Sequence, residues 1–161
     1  MRTSGTSGPI RGIGTNSNAA AGNIGEYMTD ALAFASQTSL SSGAAKTIIS
    51  LTGAKTLTPG DWDVDGVLIF DPAVTTSATA VLACISLTTN VLAGADDGAS
   101  AQWSSAANVL VQNLQLPTPT RRVTVAAGTT QDVHLVAIAI FTASTAAGAG
   151  GIRARRAPNT G

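Results

Sequence analysis

Charged side chains are scarce in this sequence. Lys plus Arg number 9 and Asp plus Glu number 9, so that charged residues make up 11% of 161 residues and the formal net charge is zero. A designed soluble surface usually carries about 25–35% charged residues. Short uncharged side chains such as Thr, Ser and Asn must therefore cover much of the surface, as is common where copies of a protein meet. The composition favours an oligomer, with a low-charge monomer as the alternative.

Cysteine and histidine each occur once. A single Cys84 excludes an internal disulfide, and its place in the apolar stretch 80–85 predicts a buried thiol that packs as a small hydrophobe. One cysteine and one histidine, His134, are too few for a zinc site built from such ligands. The sequence therefore predicts neither a metal nor a cofactor.

Long apolar runs are also absent. Residues 1–13 lack the apolar core of a signal peptide, and no stretch approaches the roughly 20 residues that a membrane span needs. We expect a protein that is made in a cytoplasm and does not insert into a membrane.

Aromatic residues make up only 4% of the chain, although 44% of it is hydrophobic. Small apolar side chains pack thin layers well, and short runs rich in Val, Ile, Leu and Thr alternate with turn residues, which is the signal of β-strands. We predict an all-β protein, an antiparallel sandwich of jelly-roll type. The predicted strands cover residues 27–34 (strand or short helix), 47–51, 62–70, 79–88, 109–116, 121–125, 133–142 and 152–156.

The first residues differ in character from the rest. Residues 1–23 are rich in Gly, Ser and Thr and show no apolar periodicity, which predicts an extended N-terminal arm. Residues 24–161 form the predicted sandwich domain. Within the arm we expect Ile10 and Ile13, with Arg11 between them, to contact whatever the arm attaches to.

The predicted strand 133–142 is apolar on both faces. An antiparallel sheet usually leaves one face wet, so this strand needs a second cover, and a partner subunit would supply it. We therefore predict a subunit interface that includes His134, Val136 and Ile138.

No motif predicts catalysis. His134 lies mid-strand, and the chain around it has no G-x-S-x-G nucleophile elbow. Carboxylate pairs remain formally available but are not clustered suggestively. We expect a protein that is not an enzyme.

Asp61, Asp63 and Asp65 followed by Gly66 match the start of a calcium loop of the EF-hand type. Position 12 of such a loop is a Glu that binds the ion through both oxygens, and here that position is Pro72. Alternation along a strand explains the spacing more simply, with Trp62 and Val64 facing the core. The glycines of residues 148–151 predict a flexible hairpin or the lead-in to a strand.

Five arginines crowd the last third of the chain. Such a cluster can bind an acidic polymer, but residues 152–156 alternate as a surface strand does, and charges protect sheet edges. No aromatic residues are interleaved for stacking on bases. We favour solvated strands or intersubunit pairs over nucleic-acid binding. The arginines are Arg121, Arg122, Arg153, Arg155 and Arg156.

Three segments together resemble a known group. They are AGNIGEY at residues 21–27, LTPGDWDVDG at 57–66 and GIRARR at 151–156, with DVHLVA at 132–137 in place of a Thr-rich apolar strand. In this order they resemble small bacteriophage and prophage structural proteins of the tail-fibre type, with an opening GEY, a central LTxGDWDVxG and a closing IxARR. The resemblance covers nearly all of the chain after residue 20.

The resemblance implies a homotrimeric β knob on the virion surface, attached to other virion proteins by its N-terminal arm and presented to the host. For contact with a host surface glycan we predict the stretch 91–103, with Asp96, Asp97, Gln102 and Trp103. Trp103 could instead fill the trimer interior. The alternatives are a capsid decoration or head-fibre protein, a glycan-cleaving enzyme and a glycan-binding module.

Overall fold

The computed structural model describes residues 25–93, 100–104 and 113–157. Within these ranges the chain forms ten β-strands, two short 3-10 helices (Phe34–Ser36 and Gly53–Lys55) and no α-helix. The strands are β1 (Tyr27–Leu32), β2 (Thr38–Leu40), β3 (Lys46–Leu51), β4 (Gly60–Pro72), β5 (Ser77–Ser86), β6 (Ser100–Ser104), β7 (Leu114–Pro117), β8 (Arg121–Val125), β9 (Val133–Thr142) and β10 (Ala146–Arg156).

The strands form two antiparallel sheets. In the first, called sheet A, the order is β1-β10-β4-β7, with β2 beside β10 and β8 beside β4; the second, sheet B, has the order β3-β9-β5-β6. The prediction of an all-β antiparallel sandwich is confirmed. The arm predicted for residues 1–23 lies outside the described residues.

The core lies between the inner faces of the two sheets. Alternation along β4 turns Trp62, Val64, Leu68 and Phe70 inward with no exposed surface, and Leu135 of β9 meets them from sheet B. Asp61, Asp63 and Asp65 point to the outer face of sheet A, so the alternation predicted for this segment is confirmed. Alanines complete the core as small side chains: Ala78, Ala83, Ala137, Ala139, Ala146 and Ala154.

The glycine run at residues 148–151 was predicted wrongly. It lies inside β10, which begins at Ala146 and pairs with β4 along its full length. Gly150 has φ of +150°, and a Cβ atom there would lie 2.1 Å from the Val67 carbonyl oxygen. Gly150 is needed because two backbones approach closely there, and Gly148 because a Cβ atom would lie 2.8 Å from Ile48 Cδ1.

Strand lengths and number also differ from the prediction. β2 and β6 were not predicted, because they are short and consist mainly of Ser, Thr, Ala and Gln. The segment 27–34 is a strand that ends at Leu32. Of the predicted strand 109–116, the described part is β7, which begins at Leu114.

The described chain enters and leaves the sandwich at the same end. The Gly25 amide donates to the Arg156 carbonyl (3.3 Å), and the Arg156 amide donates to the Glu26 carbonyl (2.8 Å). The turn between β4 and β5 and the turn between β9 and β10 lie at the opposite end, where the Ala73 amide donates to the Thr145 carbonyl (3.0 Å).

Candidate functional site

The described parts of the three segments that were compared above meet in sheet A. β1, β10 and β4 are neighbours, and Tyr27, Arg155 and Asp63 stand opposite one another across them. The motifs are about 30 and 90 residues apart in the chain, yet they form one continuous surface and one buried cluster beneath it.

The buried cluster is centred on Arg156. Its Nε donates to Glu26 Oε2 (2.9 Å), its Nη1 to the Pro59 carbonyl (2.6 Å) and its Nη2 to Thr58 Oγ1. Arg156 and Glu26 are only 6% and 5% exposed. Because a buried charge is tolerated only when it is paired and hydrogen-bonded, these partners explain why Glu, Thr-Pro and Arg occur together.

Trp62 and Gly60 complete this cluster. The guanidinium carbon of Arg156 lies 4.4 Å from the Trp62 ring centroid, a cation–π contact, and Trp62 Nε1 donates to the Thr58 carbonyl (2.8 Å). A Cβ atom at Gly60, whose φ is +130°, would lie 2.1 Å from Arg156 Nη1. With no open space for a ligand, the cluster joins β1, β4 and β10 and has a structural role.

The outer face of sheet A carries a grid of opposite charges. Arg122 on β8 donates to Asp63 Oδ1 (2.8 Å) and lies 3.7 Å from Asp61, while Arg153 on β10 pairs with Asp65. Asp63 raises the pKa of Arg122 through its hydrogen bond and its charge. Such exposed pairs contribute little to stability, because water screens the charges and both side chains must be ordered.

A cavity of about 450 Å³ opens on this charged face. We call it the outer pocket. Its walls combine one aromatic ring, two carboxylates and two guanidinium groups on three adjacent strands. The outer pocket is lined by Tyr27, Asp63, Asp65, Thr120, Arg153 and Arg155.

His134 is buried on the outer face of sheet B. Its Nδ1 lies 2.7 Å from Ser50 Oγ and its Nε2 lies 3.4 Å from Thr89 Oγ1. Burial lowers the pKa of His134, and the charge of Asp132 opposes that shift. The ring therefore favours its neutral form and links β3 to the segment that follows β5.

That segment supplies part of the second cover that β9 needs. The Asn90 amide donates to Thr47 Oγ1 (2.8 Å), and the Ala93 amide donates to Cys84 Sγ (3.3 Å). Thr47 and Cys84 are the two cross-strand neighbours of Val136, so residues 87–93 cross over Val136, which has no exposed surface. The placement of Val136 in a subunit interface is therefore corrected: its own chain covers it.

Further along β9 the outer face remains open. Ile138 is half-buried, and Ile140 is 48% exposed. Their cross-strand neighbours on β5, Leu82 and Ala80, are half-buried on the same face. Of the three predicted interface residues, Ile138 is the one on this open apolar surface, while His134 is buried beside the crossing segment.

Of the four predicted host-contact residues, two lie on β6 and two lie outside the described residues. Gln102 lies on β6 and is exposed on the outer face of sheet B. Trp103, on the same strand, is half-buried against the core, opposite Val81; its role in host contact or in filling the trimer interior stays a prediction. Asp96 and Asp97, like Ile10, Arg11 and Ile13 of the arm, lie outside the described residues.

Within the described ranges, no group of three or more His, Cys, Asp or Glu side chains is arranged to hold a metal ion. Over the same residues, no helix has the length and apolar character needed to cross a membrane. Every buried side-chain nitrogen or oxygen there has a hydrogen-bond partner.

Comparison with known proteins gives only distant likenesses. No family model matches the chain, and no curated protein matches it. Among solved structures, the VP2 subviral particle of infectious bursal disease virus aligns with a TM-score of 0.44 and 13% identity, over 80% of this chain and 32% of that one. A point mutant of the same VP2 protein in derived T=1 particles gives 0.41 and 13%, over 91% and 35%. The chain spans about a third of the length of these VP2 chains.

Sequence reasoning missed the outer pocket. The alternation of arginines in 152–156 and of aspartates in 61–65 was visible, but which strands neighbour each other was not. The signal available was that 61–65 and 152–156 both alternate charged with apolar residues and carry charges of opposite sign, as paired neighbouring strands can.

Proposed function

We propose that this chain is a bacteriophage virion structural protein, a tail-fibre or short tail-appendage knob that assembles as a homotrimer and attaches by its N-terminal arm. The observation that supports this most is the joining of the three motif segments around Arg156. Residues that recur in phage tail-fibre-like proteins then have a shared physical task, which is to hold β1, β4 and β10 together.

The two outer faces suit different tasks in such a trimer. Sheet B presents Leu82, Ile138 and Ile140 on its open side, and a second copy of the chain would remove these apolar side chains from water. Sheet A presents the charged grid and suits a solvent-facing role. The subunits therefore pack through sheet B and display sheet A.

The ends of the sandwich also differ. The described chain begins at Gly25 beside Arg156, and we place the attachment to the virion at that end. The opposite end bears the turn with Val74, which is 81% exposed, and the turn at Ala143 and Ser144, both of which have positive φ. This end faces away from the virion.

Particle labelling tests the proposed location. A gold-tagged antibody against the chain is applied to particles from cells that carry the gene in its natural context, and the particles are imaged by electron microscopy. Label on tails is the expected result, whereas label over the capsid lattice would replace the tail assignment with a decoration protein. Label on no particle would contradict a virion role. Particles from a strain lacking the gene provide the control.

A variant lacking residues 1–23 tests attachment. It should keep the sandwich, with a circular dichroism spectrum like that of the full chain, and should be missing from purified particles. Incorporation of the shortened chain at the normal level would contradict attachment through the arm.

A further inference from the structure

We propose that the outer pocket binds a sugar bearing a single carboxylate, of the hexuronic acid class, with Arg155 as the residue that recognises the carboxylate. The inference deepens the proposed function, on which it rests for the source of the sugar, a host surface glycan. The binding itself is a property of the folded chain and is measured separately.

Of the two arginines that line the pocket, Arg155 is the one that no described carboxylate pairs with. Arg153 is engaged by Asp65 and Arg122 by Asp63 and Asp61. Over the part of the chain that the structure describes, no carboxylate lies within ion-pair distance of the exposed Arg155. A guanidinium presents a planar fork of donors that matches a carboxylate with two parallel hydrogen bonds, so Arg155 can bind that group.

The aromatic ring stands beside this cation. Tyr27 is the direct cross-strand neighbour of Arg155, and its side chain is partly exposed on the same face. Directly opposed residues in an antiparallel pair have Cβ atoms about 4.5–5.5 Å apart. A sugar ring can therefore lie against the tyrosine while its carboxylate reaches the guanidinium.

The two aspartates supply acceptors for hydroxyl groups. Arg153 donates to Oδ1 of Asp65, and Arg122 donates to Oδ1 of Asp63. Each carboxylate offers about four lone-pair positions, so both keep acceptor capacity toward the cavity. Sugar hydroxyls are donors that such oxygens recognise.

Charge balance argues for one negative charge on the ligand. Arg153 pairs with Asp65, and Arg122 of β8 pairs with Asp63. Among these and the remaining wall residue Arg155, one positive charge is therefore left over, and juxtaposed like charges suppress wrong partners. A phosphate dianion or a nucleic-acid backbone would face both aspartates, whereas a uronate places its one charge at Arg155 and its neutral hydroxyls near them. The cavity of about 450 Å³ lies within the range of about 300–1,000 Å³ common for small-ligand sites.

Calorimetric titration of the full chain with methyl glucuronide and with methyl glucoside tests the proposal. These probes differ only in carboxylate versus hydroxymethyl. The glucuronide should bind about tenfold or more tightly than the glucoside, as one charge-assisted bidentate contact implies. Arg155→Gln should remove that preference, and Arg155→Lys should restore only part of it.

Matched variants separate the two contacts. Tyr27→Ala should weaken both probes, because stacking does not depend on the carboxylate, and Tyr27→Phe should bind as the native chain does. Lys46→Gln, which removes an exposed cation on sheet B, should change neither affinity. Thermal unfolding of each variant shows that the fold is kept.

Equal affinity for the two probes, or a preference that survives Arg155→Gln, would overturn the proposal. A change in the assembled mass of Arg155→Gln, with glucuronide affinity intact, would also overturn it and make this face a contact between copies. The particle-labelling experiment reports separately on the virion role, so failure of either claim is recognised without the other.

Discussion

Arg156 and Glu26 form a buried ion pair between residues 130 positions apart, with Nε 2.9 Å from Oε2. The pair joins the start of β1 to the end of β10, and Trp62 lies against the guanidinium from β4. Together the ion pair and the cation–π contact join β1, β4 and β10 at one point.

Replacement of Arg156 tests the structural role of this pair. Arg156→Ala should lower the free energy of unfolding by about 3–5 kcal/mol, because it leaves the buried Glu26 carboxylate without its partner. Urea unfolding measures the change. The matched control is Arg153→Ala on the same strand, where loss of an exposed pair should cost less than about 1 kcal/mol. Equal losses in the two variants would contradict the central place of Arg156.

Gly150 tests the close approach of β10 to β4. Gly150→Ala should destabilise the fold by about 3 kcal/mol or more, because the new Cβ meets the Val67 carbonyl oxygen at 2.1 Å and φ is +150°. The neighbouring Gly151→Ala serves as control, since its nearest atom is 3.5 Å away, and it should change stability by less than about 1 kcal/mol. Chemical denaturation of both variants gives the comparison. A tolerated alanine at 150 would show that the strands do not approach this closely.

The contrast at β10 shows how far local sequence reasoning reaches. The periodicity of Asp61 to Gly66 was sufficient to predict a strand and its faces, because alternation is a local property. The glycines at 148–151 look like a flexible connection in isolation. Glycine is required at 150 because the Val67 carbonyl of β4 approaches it, and at 148 because Ile48 of β3 approaches it. Neither neighbour can be identified from the sequence around the glycines.

The cover over the outer face of sheet B could also not be predicted in full from the local sequence. The apolar character of β9 on both sides correctly indicated that a second cover is needed, but the chain itself supplies it over Val136 through residues 87–93. The pairing of Glu26 with Arg156 was equally hidden, because no pattern within a short window links residues 130 positions apart.

The buried His134 makes stability depend on pH. Burial lowers its pKa in the folded state, partly offset by the charge of Asp132. Below an ordinary histidine pKa of about 6.5 the unfolded chain binds the proton more readily than the folded chain does, so the free energy of unfolding falls as pH drops through that value and levels off below the folded pKa.

Urea unfolding at pH 7.5 and at pH 5.5 measures this loss. His134→Gln should be less stable than the native chain at pH 7.5 but should lose less stability between the two conditions. An identical pH dependence in the variant would mean that the proton is taken up elsewhere.

Trp103 and Gln102 distinguish core from surface on β6. Trp103→Ala should cost about 1–3 kcal/mol, less than a fully buried tryptophan, because the side chain is half-buried against the core. Gln102→Ala on the exposed face should change stability by less than about 0.5 kcal/mol. Thermal or urea unfolding gives both values. A Trp103→Ala variant as stable as the native chain would contradict the packing of this side chain against the core.

The account as a whole depends on a trimer that packs through the open part of sheet B. Light scattering on the full chain measures this directly, together with Ile140→Glu on that face and Val67→Glu, a matched change on the outer face of sheet A. We expect a mass three times that of the 16.0 kDa chain for the native protein and for Val67→Glu, and a single-chain mass for Ile140→Glu. A stable monomer in all three proteins would contradict the trimeric knob.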